Sequence, residues 1–191
     1  MQKIFIIITL LISTAFLSGC GGSTSSGGSQ GTTVTMQADI KNGSSPIAFV
    51  GFSSGKIQSR AGIDFVLKST INPNSGLMAS DIGLVSQDIS FEYIGCSDPT
   101  YKTIVQLPSF KLYDSALLTA GGTLTLTGFS VFLPVTAQYL ADNYINVGGK
   151  NPFLNPNELQ FKVNVNFNGV ELKNQSNINV LGHANLFISN F

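Results

Sequence analysis

The feature that most constrains this chain is a stretch in which every second residue is apolar. Leu159, Phe161, Val163, Val165 and Phe167 are separated by Gln160, Lys162, Asn164 and Asn166. Successive side chains of a strand point to opposite faces of a sheet, so a period of two gives one dry face and one wet face. A helix would scatter the same residues around its axis. The alternation recurs at Val34, Met36, Ala38 and Ile40, at Ile63, Phe65 and Leu67, and at Ile89, Phe91 and Tyr93. Further strands are expected over Ile47–Phe52, Thr103–Tyr113, Thr123–Leu133 and Ala184–Phe191, about eight or nine in all. The clearest run ends at Asn168-Gly169, a strong type I′ signal, which predicts a tight hairpin resuming as Val170-Glu171-Leu172.

Helix is scarce. The best candidate is Ala137–Tyr144, with Thr136 as N-cap after Pro134 and Gly148-Gly149 beyond its end. Strands with one wet and one dry face predict an all-β fold, an antiparallel two-sheet sandwich over residues 34–191 with one short helix. No internal repeat and no second domain are evident. Asp142-Asn143-Tyr144 resembles the tyrosine corner of immunoglobulin-like domains over those three residues, which implies an immunoglobulin-like sandwich. The alternative is an eight-stranded β-barrel, since alternation also describes membrane-spanning strands. The ending Phe187-Ile188-Ser189-Asn190-Phe191 is similar to the last strand of outer-membrane barrels. Against it stand the absence of Trp, only five Tyr for two aromatic girdles, and strands too short to span.

Charge excludes some functions. Ten Lys+Arg balance ten Asp+Glu, only 10% of residues are charged, and no basic stripe exists to displace counterions from phosphates. Nucleic acid is therefore not an expected partner. At 43% hydrophobic the chain folds rather than staying disordered. Two cysteines cannot build a disulfide framework.

The first twenty residues carry an address. Lys3 supplies a positive start, and Ile4–Leu17 is apolar except for Thr9, Ser13 and Thr14. That run is shorter than the roughly 18–20 residues of a spanning helix and fits a secretory h-region. It closes on Leu17-Ser18-Gly19-Cys20, which resembles the lipobox of bacterial lipoprotein signal peptides at all four positions. The resemblance implies cleavage after residue 19 and a thioether-linked diacylglycerol, usually with an acylated amine, on Cys20. Several acyl chains together hold a protein stably where one does so only marginally. Gly21 rather than Asp after the cysteine points, by the sorting rule of enterobacterial lipoproteins, to the outer membrane. Residues 20–33 are Gly, Ser, Thr and Gln after the cysteine and read as a flexible tether. Such a tether leaves the folded part free to stand off the bilayer, roughly 20 Å on average and about 48 Å when stretched.

The chemistry is sparse. Gly51-Phe52-Ser53-Ser54-Gly55 matches the G-x-S-x-G elbow of α/β-hydrolases, and the single histidine, His183, lies downstream. The alternative function is thus a secreted serine hydrolase with Ser53 as nucleophile, His183 as base and an acid such as Asp142. Its context fails, because Lys56–Gly62 has no helical stripe and no parallel helix-flanked sheet is expected. His183 reads as a strand-end surface residue where Gly182 leads into the last strand. Asp88 and Glu92 share a face but lie about 13 Å apart along a strand, beyond the reach of a glycosidase pair, and read as solvated. Asp142, Asn143, Asn155, Asn157 and Glu158 are oxygen-rich but lack calcium-loop spacing. Cys96 is the only other thiol, with no basic neighbour in sequence to activate it, and reads as a small strand-end residue. No catalytic group, metal or cofactor beyond the lipid on Cys20 is expected. The expected function is a non-enzymatic, lipid-anchored binding or structural module of the cell envelope, with a protein partner.

Overall fold

A computed structural model describes residues 29–30, 33–45, 47–53, 56–60, 62–148, 151–153 and 158–190. The leader, Cys20, most of the tether, Ser54-Gly55, Asn155 and Asn157 lie outside the described residues. In chain order the strands are β1 (Ser29–Gln30), β2 (Val34–Ile40), β3 (Ile47–Ser53), β4 (Lys56–Arg60), β5 (Ile63–Ile71) and β6 (Ile82–Cys96). There follow β7 (Phe110–Tyr113), β8 (Leu117–Leu118), β9 (Thr123–Phe129), helix α1 (Pro134–Leu140), β10 (Glu158–Glu171) and β11 (Asn177–Asn190). The fold is all-β, built as two sheets. One has four strands in the order β1-β2-β5-β9, and the other seven, β4-β3-β11-β10-β6-β7 with β8 beside β6. Every pairing is antiparallel except that of β3 with β11. Both sheets end in edge strands, so among the described residues neither closes on itself, and the barrel alternative falls.

The alternating run became the spine. β10 is paired along its length with β11 on one side and β6 on the other, and its burial alternates without interruption. Its inward residues meet the smaller sheet through Phe167, which packs edge-on against Phe65 of β5 at 5.3 Å. Phe65 in turn meets Phe129 of β9 at 5.7 Å. Gly182 of β11 makes room for this, since a Cβ there would lie 2.9 Å from the Phe65 ring. The strands of the smaller sheet have at most nine residues, whereas β10 and β11 have 14. At about 3.3 Å per residue the smaller sheet leaves roughly a third of the larger one uncovered. Buried side chains from outside the strands fill in there: Val105, Leu107, Val131, Phe132 and, on the helix, Ala137 and Leu140.

Four expectations need correcting. Asn168-Gly169 is no turn: neither residue has positive φ, β10 runs through to Glu171, and the reversal comes at residues 172–176, where Gln175 adopts φ 55°. Gly169 is there for close approach, because a Cβ would sit 2.6 Å from Ile82 Cγ2, beside a bulge that displaces Val85 of β6. Asn168 donates across the sheet to Ser86 and Asp88 instead. Consequently β11 begins at Asn177, seven residues ahead of the expected start of the last strand. Thr103–Tyr113 pairs only from Phe110 onward. Its alternation reflects the burial of Val105 and Leu107 in an extended segment where Pro108 has no N–H for a ladder. The helix starts at Pro134 with Leu133 as N-cap and continues as a π-helical turn, Ala141–Ile145. Thr136 lies inside it, buried, with its hydroxyl unpartnered. Tyr144 accepts the N–H of Gln106, far upstream, rather than closing a tyrosine corner.

Candidate functional site

The outward residues of β6, β7, β10 and β11 make the polar face of the larger sheet. Register places Asn164 opposite His183 and Ser90, Asn166 opposite Leu181 and Asp88, and Lys162 opposite Glu92. Where β7 flanks β6, these strands enclose an open hollow of about 370 Å³ lined by Asp88, Ser90, Ser109, Phe110, Lys111, Asn164, Asn166 and Leu181. Its two charges neutralise each other, Lys111 Nζ lying 3.1 Å from Asp88 Oδ1, and further along the same face Lys162 Nζ lies 4.0 Å from Glu92 Oε2. The amides are partly committed. Asn168 donates to Asp88 at 2.8 Å and Asn166 donates to Asn168 at 3.1 Å. The Asn164 amide NH₂, the Asn166 Oδ1 and the Ser90 hydroxyl make no hydrogen bond with other described residues, so they are available to a ligand.

His183 stands mid-strand and half-buried, not at a strand end. Its Nδ1 lies 2.7 Å from Asn164 Oδ1, and since that oxygen only accepts, Nδ1 carries the proton and Nε2 is left as an acceptor. Burial holds its pKa below the usual 6.5, Lys162 pushes the same way and Glu92 opposes. Neutral histidine is the form this face keeps at pH 7.

The other candidates do not converge. Register sets Ser53 of β3 beyond the level of Asn190, whereas His183 lies seven residues before Asn190 on the adjacent strand. The two are thus roughly 26 Å apart, far outside proton-transfer range. Asp142 is on the π-helical turn, accepting from Gln138 at 2.8 Å, and Asn143 donates to the Tyr139 carbonyl. Glu158 accepts from Gln160 at the start of β10. Among the described residues no group of three His, Cys, Asp or Glu gathers as a metal cage would require. Asp88 and Glu92 each pair with a different lysine, as a solvated face should. Cys96 ends β6, half-buried and unbridged, near Tyr93 and Tyr101. Burial pushes the Tyr93 phenol up to about 12.

The hollow itself was missed in the sequence, where the polar half of the alternating run read only as a wet face. The available signal was that Asn164, Asn166 and Asn168 are consecutive outward positions, and a solvated strand needs no such row of amides. No protein-family model, curated protein or solved structure matches the chain.

Proposed function

We propose that this chain is a lipoprotein of the bacterial cell envelope, acylated at Cys20, acting as a non-enzymatic binding module for another envelope or surface component. The observation that carries the binding role is the hollow on the larger sheet, where unengaged hydrogen-bonding groups stand around a charge-neutral floor. Such a site recognises its partner by hydrogen bonds and shape rather than by field. The outer membrane is the proposed location, supported by Gly21 after the cysteine. In architecture we group the domain with immunoglobulin-like sandwiches, because its chain crosses repeatedly between two sheets. The parallel β3–β11 pair and the seven-strand order are its own variation on that plan.

Two measurements test this reading. Metabolic labelling with radioactive palmitate is expected to mark the chain and to fail for Cys20→Ser, which should also leave the membrane fraction. A photo-crosslinking amino acid replacing Ser90 in the hollow is expected to trap one discrete partner in intact cells, with the adduct lost in an Asn164→Ala, Asn166→Ala background. The same probe replacing Thr125 on the edge strand β9 serves as control. Equal adducts from both positions would sink the assignment of the binding face.

A further inference from the structure

One end of the sandwich carries apolar side chains that its own packing does not use. Met78 is 79% exposed, Leu77 55%, Leu172 49% and Ile71 47%. They belong to different segments that hydrogen bonds gather at one place. The Asn72 N–H donates to the Thr33 carbonyl, the Ser80 N–H to the Thr33 hydroxyl, the Lys173 N–H to the Ser80 hydroxyl and the Leu172 N–H to the Asp81 carbonyl. Ile71 lies opposite Val34 in the register of β2 and β5. The rim therefore consists of the end of β5, the loop over residues 72–81 and the β10–β11 turn, all beside the start of β2.

Its charges do not oppose an anionic surface. Of the two acids nearby, Glu171 is fully buried and takes the N–H groups of Thr33 and Val34, and Asp81, half-buried, accepts from the Ala120 N–H. Lys173 is exposed there. An apolar rim with an exposed cation, and with both nearby carboxylates taken up by backbone N–H groups, matches the interfacial zone of a bilayer with anionic headgroups.

The chain's own connectivity keeps this end within reach of the anchor. The first described residue, Ser29, pairs opposite Met36, about 10 Å along β2 from Thr33. The nine residues from Cys20 to Ser29, as a Gly/Ser chain, span roughly 16 Å on average and about 31 Å when stretched. The rim is within that average. The opposite end of the larger sheet, where β6 reaches Cys96 and pairs with the start of β10, is about 33 Å from the same point. That distance slightly exceeds the length of the tether drawn taut.

We propose that the hairpin end of the domain, through Ile71, Leu77, Met78 and Leu172, docks into the bilayer that holds the lipidated Cys20, so that the sandwich stands on the membrane instead of swinging from it. This rests on the reading of Cys20 as the lipid anchor. The hollow on the larger sheet then opens sideways, parallel to the membrane.

The chain lacks Trp, so one added Trp reports its own surroundings. The full-length chain is made with Met78→Trp, or with Ile94→Trp at the opposite end, where Ile94 is 58% exposed. Each is extracted from cells and reconstituted into vesicles of phosphatidylethanolamine and phosphatidylglycerol doped with brominated phosphatidylcholine. Docking is expected to shift the emission of the residue-78 reporter to the blue and quench it at least twofold, leaving the residue-94 reporter unchanged. Adding Leu77→Asn and Leu172→Asn should abolish the quenching. If the chain stays with the vesicles but neither reporter is quenched, docking is overturned while the anchor stands. If the chain leaves the vesicles and takes up no palmitate, anchor and docking fall together. A blue shift at residue 78 that follows protein density without quenching by bromine assigns the rim to a second copy, which also overturns the proposal.

Discussion

The two ends of the larger sheet are built by different means. At the hairpin end, where β10 turns into β11, the smaller sheet covers it, and Phe65, Phe167 and Met36 have no exposed surface. The buried groups there include a carboxylate, Glu171, which accepts from two backbone N–H groups and, through its second oxygen, from the Asn174 amide. At the helix end the cover is a short helix and extended segments, and the aromatics Phe91, Tyr93 and Phe110 remain half-exposed. Ring contacts at 5.5–6.4 Å, also involving Phe161, join them across the strands there. A sheet longer than its partner needs a second kind of cover, and that cover packs less completely.

The strongest test of this difference is packing. Phe167→Ala should cost about 3–5 kcal/mol of unfolding free energy, because a fully buried ring leaves a cavity between two sheets. Phe110→Ala should cost about 1–2 kcal/mol, since less surface is removed from water. Equal losses in chemical denaturation would erase the distinction between the ends. Glu171→Gln sharpens it from the polar side. The amide keeps the shape but weakens the bonds to Thr33 and Val34, for an expected loss of about 1.5–3 kcal/mol, with exchange of the β2 amides accelerated first.

Alkali addresses the helix end alone. Tyr93 and Tyr101 are both raised, chiefly by burial. A phenol with a raised folded pKa contributes stability in full below its ordinary value of 10 and loses it as pH climbs through the folded value, about 12 for Tyr93. Tyrosinate absorbance should therefore lag behind that of free tyrosine between pH 10 and 12, and Phe110 should loosen before Phe167. Histidine gives the opposite slope at lower pH. With His183 depressed, stability should fall as pH drops below 6.5, and His183→Gln should flatten that fall. The smallest effect has the less expected sign. The buried Thr136 hydroxyl has no partner, so Thr136→Val should raise stability by about 1 kcal/mol.

Most strands were legible because each buries one face, and burial is what a period of two encodes. The inward residues of β2, β5 and β10 are the ones the alternation singled out. What alternation does not encode is pairing: residues 101–109 alternate in burial yet join no strand. Asn168-Gly169 misled because the same dipeptide serves a turn or a tight strand contact, and only the position of Ile82 decides between them. The burial of Glu171 was not legible, since the two N–H groups that make it tolerable lie at the other end of the domain's sequence. The hollow was hidden likewise. Its walls come from β6, β7, β10 and β11, and no one of these segments carries its outline.

The parallel pair of β3 and β11 has a consequence for how the chain reaches this structure. Ile47 sits opposite Asn185, so the interior of the larger sheet joins residues from opposite ends of the folded sequence. Until β11 is present, β3 and β4 have no neighbour on that side and β10 has only β6. Loop closure over so much chain is slow, and the order of events places the central strand last. A polypeptide emerging from N- to C-terminus thus leaves this sheet unfinished until β11 is available. For the exported lipoprotein proposed above, that delay would keep the chain in the extended form that passage through a membrane requires.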